Sequence, residues 1–417
     1  MLTFAAMALF FRGQSLAGRE AGVRLFAVPA AVVTVVRSAA LLLFVFTILA
    51  GFIGVQDPYR NLITTMVWVV WWVGFAFVCA LAGDLWALVN PFSIPPGKAR
   101  LTYPPRLGAW PAVVLFFGFA WAELVWRDND VPAYLASAIV GYSLLTWLGM
   151  LLFGREQWLR SGEAFSIAFG ILGRFAPLYG ERRELRLRPP GAGLLARERV
   201  PVSLAVFVLL MLASVTCDGF FETPLMRSLE TAVHASPALA SALFNLSEWG
   251  LDESQLIASA TLAAFPVGFA AVFWLTAWAM VRAARGNIPA TEVACAFVLT
   301  LVPIAVAYHL AHYFSLLVTA GQFIIPLASD PLGFGWDLFG TAAYKVDLGA
   351  LSPYVFWYGA VILIVAGHVI AVVLAHVTAL RVFGAPAAAA ASQIPMVALM
   401  VAYTMLSLWI LAQPVVG

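Results

Sequence analysis

The sequence predicts an all-α protein, a polytopic bundle of about nine transmembrane helices. Three observations carry that prediction. Of 417 residues, 63% are hydrophobic and 11% are charged; ordinary soluble domains sit near half apolar and a quarter charged. Several runs reach the ~20 apolar residues that a helix needs to cross a bilayer. These runs are continuously apolar rather than alternating, which favours helices over a barrel.

The spans fall near 29–55, 62–82, 109–126, 132–153, 200–217, 256–281, 290–320, 352–377 and 393–413. Residues 1–28 form an N-terminal segment suited to the membrane interface, and 29–413 a single bundle. "MLTFAAMALF" has no basic residue before it and no clear cleavage site, so it does not read as a cleavable signal.

Loop charge tests the count. Arg12, Arg19 and Arg24 precede the first span, Lys98, Arg100 and Arg106 follow the second, and the 154–199 loop is rich in arginine. Arg282 and Arg285 follow the sixth span, and Arg381 follows the eighth. The intervening loops are acidic or near neutral, above all 218–255, with Asp218, Glu222, Glu230, Glu248, Asp252 and Glu253 against Arg227. That alternation places the N-terminus inside and the C-terminus outside. It requires an odd number of spans.

Shorter pieces lie between spans. "GDLWALVNPFSIPP" breaks at its prolines and reads as an interfacial or re-entrant elbow. "GEAFSIAFGILGRFAPLYG" has apolar residues at helical spacing between Glu163 and Arg174, as in an amphipathic helix on the inner face. "ERRELRLRPP" reads as a solvated basic turn near headgroups. Residues 326–349 are rich in Gly and Pro and long enough to fold over a mouth.

Cys79, Cys217 and Cys295 each stand alone in apolar runs, so no disulfide framework or thiolate metal site is expected. No phosphate-binding glycine fingerprint occurs, and nothing points to nucleic acid.

Histidine usage is lopsided. His309 and His312 lie on span seven, His368 and His376 on span eight, and His234 alone in a loop. Ionisable residues within a span are costly and face the bundle interior. Residues three apart share a helix face, ~4.5 Å apart along the axis. From the outer end, His309 lies ~18 Å deep, His312 ~13 Å and His368 ~24 Å. These three can converge; His376, ~12 Å further in and turned by ~80°, does not join them.

Three neutral imidazoles with an open fourth position suit a divalent metal such as zinc. Such an ion would turn bound water into hydroxide near neutral pH. Asp218 and Glu222, in "TCDGFFETP", are candidate ligands, orienters or general bases. The bland alternatives are concrete. Each histidine can simply hydrogen-bond across helices, and the two acids can be solvated turn residues. Tyr308, Tyr313, Tyr354 and Tyr358 read as packing or belt residues, and "VWVVWW" as a lipid-facing or belt stretch.

Several stretches together resemble a bacterial family of polytopic membrane proteins named as fenitrothion hydrolases. They are "DLWALVNPFS", "GEAFSIAFGILGRFAPL", "TCDGFFETP", "YHLAHYFSLLVTAGQFIIPLASDPLGFGWDLFGTA" and "GHVIAVVLAHVTAL". The resemblance covers most of the chain after the first span, and the histidine-bearing stretch is its most specific part. It implies hydrolysis of a hydrophobic phosphotriester in the inner membrane, with a second subunit. It assigns no catalytic residue.

Three further functions fit the same residues. A transporter or channel would use the histidines as a proton or ion site. A haem-binding electron carrier would use them as axial ligands, but intervals of three and eight residues do not match for stacked haems. A non-catalytic subunit would use the charged loops as docking surfaces.

Overall fold

The computed structural model describes residues 22–93, 99–181, 183–195, 200–248 and 250–413. "MLTFAAMALF" and the end of the "NPFSIPP" elbow lie outside them. Among the described residues, nine helices are long and apolar enough to cross a membrane. They are Ala30–Ile53, Leu62–Ala82, Pro105–Leu124, Pro132–Phe153, Val202–Phe221, Glu253–Ala283, Ala290–Ser329, Pro353–Phe383 and Pro386–Leu411. The chain is a multi-pass membrane protein. Each of the nine expected spans overlaps one of these helices.

The chain divides into two compact units. The first holds Met1–Ala112, Arg127–Glu198 and Val302–Leu374; the second holds Val113–Trp126, Arg199–Leu301 and Ala375–Gly417.

In the first unit, spans one, two and four meet where side chains are small. A Cβ on Gly51 would lie 2.7 Å from Ile63 Cδ1 and 2.8 Å from Ala136 Cβ, so only a bare backbone allows this approach. Ile63, Val67, Leu135 and Ala136 form the buried cluster beside it. Span two is not a uniform α-helix. Between Leu62–Thr64 and Phe75–Ala82, residues Thr65–Gly74 wind as a π-helix. Such segments are rare and recur at functional sites.

The helix Ala164–Phe175 packs against the second half of span two and the short helix Trp86–Val89. Eight of its twelve residues are buried, a deeper seat than that of a helix lying on one apolar face. Both ends are capped. The fully buried Glu163 accepts hydrogen bonds from Phe165 N and Ser166 N, and from the Tyr142 hydroxyl. At the other end the Arg188 guanidinium donates to Gly173 O and Arg174 O, both at 3.1 Å, and lies 4.6 Å over the Tyr179 ring. Partial burial pulls the Arg188 guanidinium below its ordinary value.

The basic turn is instead part of a sheet. Strands β1 (Val23–Ala27), β2 (Leu178–Glu181) and β3 (Glu184–Leu187) pair antiparallel in the order β1-β3-β2. Its cause is legible in "ELRL", where apolar and charged residues alternate with the period of a strand. Arg183, at φ 67°, turns the hairpin. Ion pairs Arg24–Glu184 at 3.2 Å and Arg186–Glu181 at 2.8 Å tie its charges. Part of the N-terminal segment, expected at the interface, is thus an edge strand.

In the second unit, spans five, six and nine pack together. Thr216 and Tyr403 share a buried hydroxyl pair at 2.8 Å, and Trp121 Nε1 donates to Ser259 Oγ at 2.8 Å. The loop 218–255 is not irregular. It contains helices Pro224–Ala235 and Pro237–Ser247, each with proline in its first turn after Thr223 or Ser236.

Candidate functional site

Span seven is the most buried of the nine and carries two histidines. It is interrupted on both sides of them. Tight 3-10 turns at Val298–Leu301 and Ala320–Phe323 flank the α-helix Val302–Thr319. His309 is buried on that helix and His312 half-buried.

Aromatic rings hold both imidazoles. The His309 ring centre lies 6.1 Å from Trp72, 5.8 Å from Phe77 and 4.7 Å from Tyr313, each roughly edge-on. His312 lies 4.7 Å from Tyr313 and stacks on Tyr308 at 5.7 Å. Tyr308 and Tyr313 are four residues from one imidazole each, the spacing that brings side chains over one another on a helix. Trp72 comes from the π-helical stretch of span two, so the winding of that segment sets where its indole meets His309.

Span eight brings His368. Its Nδ1 donates to Ile364 O one turn back, at 2.7 Å. A carbonyl can only accept, so the proton of the neutral ring sits on Nδ1 and the lone pair on Nε2. The preceding residue, Gly367, makes the close approach between spans eight and seven. A Cβ there would lie 2.4 Å from Ala307 Cβ and 2.6 Å from Pro303 O. Ala307 stands two residues before His309. The contact therefore fixes the two histidine-bearing helices beside each other within the first unit.

His376 is in the second unit, hydrogen-bonded to Gln393 of span nine. Gln393 Nε2 also donates to Ala389 O at 2.9 Å, and both amide atoms lie within hydrogen-bond distance of His376 Nδ1, Nε2 at 3.0 Å and Oε1 at 3.2 Å. His234 is on the helix Pro224–Ala235, 3.9 Å from Glu253. Asp218, half-buried in the last turn of span five, and Glu222, exposed at its end, belong to the second unit. Cys79, Cys217 and Cys295 are buried and free.

Among the described residues, no group of three or more His, Cys, Asp or Glu side chains lies close enough to hold a metal ion. The first unit contributes instead an imidazole and aromatic arrangement. Two of its members escaped the sequence reading. Trp72 belongs to "VWVVWW", expected as a lipid-facing or belt stretch, yet it is buried and none of those six residues is exposed. Phe77 gave no signal, because a phenylalanine in an apolar run is indistinguishable from its neighbours. Tyr354 and Tyr358 are exposed, as belt residues are. No protein-family model, curated protein or solved structure matches the chain.

Proposed function

We propose that the protein is a hydrolase of hydrophobic phosphotriesters in the bacterial inner membrane, with its N-terminus inside, and that the imidazoles of spans seven and eight carry the reaction. The observation that carries this reading is the His368 Nδ1–Ile364 O bond, which leaves the ring's basic nitrogen at Nε2. A base so oriented takes a proton from water as the water oxygen bonds to phosphorus. The phosphorus–oxygen bond to the aryl group then breaks, the aryl oxide leaves, and a phosphodiester remains. His309 and His312 supply N–H donors for the charge that develops on the phosphoryl oxygen. The rings of Trp72, Phe77 and Tyr313 offer the apolar surroundings that an aryl ester seeks.

A divalent ion such as zinc on His309, His312 and His368 would supply a water of lowered pKa. The donors described above do not gather into such a set, and the base role of His368 does not depend on it.

The second reading is transport of an ion or small molecule, favoured by the irregular winding of spans two and seven around the histidines. Broken helices of this kind line transporter sites. One experiment separates the two. Detergent-purified protein and a His309→Ala/His312→Ala variant are assayed for metal content and for release of aryl oxide from an aryl dialkyl phosphotriester; vesicles are assayed for uptake. The hydrolase reading expects turnover that the double variant loses, with any stoichiometric metal lost alongside it. Uptake without turnover supports transport, and neither activity in wild-type protein sinks both readings.

A further inference from the structure

The segment between spans seven and eight exposes apolar side chains in a row. Phe334 is 53% exposed, Trp336 43%, Leu338 60% and Phe339 72%. In a loop that stands in water this would be a liability.

The backbone beneath them is satisfied from within. Asp330 accepts from Phe334 N at 2.9 Å and Gly335 N at 2.7 Å. The fully buried Ser329 accepts from Leu338 N through its carbonyl, and from Phe339 N and Thr341 N through its hydroxyl. Asp337 accepts from Ala342 N at 3.0 Å. Six N–H groups of an irregular segment thus find acceptors inside the segment itself. A water-facing loop does not need this, because water serves its donors. A loop seated among lipid does, because acyl chains offer no acceptor.

Position agrees with that requirement. The segment starts at Ser329, where span seven ends, and stops at Pro353, where span eight begins. Tyr354 and Tyr358, in the first turns of span eight, are also exposed, as residues of an interfacial belt are. Charge narrows the lipid: Asp330, Asp337 and Asp347 outnumber Lys345, so anionic headgroups would repel the segment.

We propose that residues 334–339 are an interfacial anchor, seated at the headgroup–acyl boundary of zwitterionic lipid beside the ends of spans seven and eight. The inference is independent of the hydrolase reading.

The test is a nitroxide label at Phe339→Cys, and separately at Leu338→Cys, in phosphatidylcholine nanodiscs. Both side chains are exposed, so neither change removes packing, and the native cysteines are buried. Lys345→Cys, exposed in the same segment, is the aqueous reference. The expected result is a ratio of collisions with oxygen to collisions with a water-soluble nickel chelate several-fold above that at position 345. Equal ratios would place the segment in water and overturn the proposal. Shielding from both probes would mean a protein partner covers it, which also overturns it.

Discussion

Replacing His368 with asparagine is expected to lower phosphotriester turnover by about 100- to 10,000-fold, the usual contribution of a positioned general base. The substitution is chosen for what it keeps. The asparagine amide can still donate to Ile364 O, as His368 Nδ1 does at 2.7 Å, so the local bond in span eight survives. What disappears is the basic nitrogen. The effect should fall on kcat, with the helical signal and thermal unfolding midpoint of the detergent-solubilised protein unchanged. Turnover retained in this variant, with the fold intact, would remove His368 from the mechanism.

Replacing Gly367 with alanine is expected to destabilise the protein by about 1–3 kcal/mol, the range for an overpacked core site. The added methyl group would sit 2.4 Å from Ala307 Cβ and 2.6 Å from Pro303 O. Neither neighbour is the end of a flexible side chain, so the helices themselves must shift. Because His368 follows Gly367 and His309 lies two residues after Ala307, the shift also disturbs the site. Thermal unfolding in detergent reads the first effect and turnover the second. Adding Ala307→Gly should restore part of the stability, by removing the closer of the two clashes. A Gly367→Ala protein as stable as wild type would contradict the helix contact.

The membrane architecture was legible because hydropathy and loop charge are sums over many residues. Boundaries were less so. Span nine starts at Pro386 rather than near 393, since "AAAAA" is weakly apolar yet forms helix readily. The two helices of the 218–255 loop were announced by Thr223-Pro224 and Ser236-Pro237, and an eye on acidic charge passed over them. Winding was not legible. Hydropathy counts apolar side chains and is blind to backbone hydrogen-bond register, so Thr65–Gly74 gave no sign of its π-helix.

The site was partly legible. Four histidines inside spans stand out because imidazoles are expensive in lipid. His376, in the second unit, lies within hydrogen-bond distance of Gln393. The aromatic walls around His309 could not be found that way, since Trp72 and Phe77 are rings in a chain full of rings. Asp218 and Glu222 belong to the second unit, a division that chain order does not reveal.

The most direct test of the account is turnover of an aryl dialkyl phosphotriester by the purified wild-type protein in heavy-oxygen water. The account predicts release of the aryl oxide with its original oxygen and one heavy oxygen in the dialkyl phosphate, at a rate far above that of the His368→Asn variant. Release no faster than in that variant would contradict it.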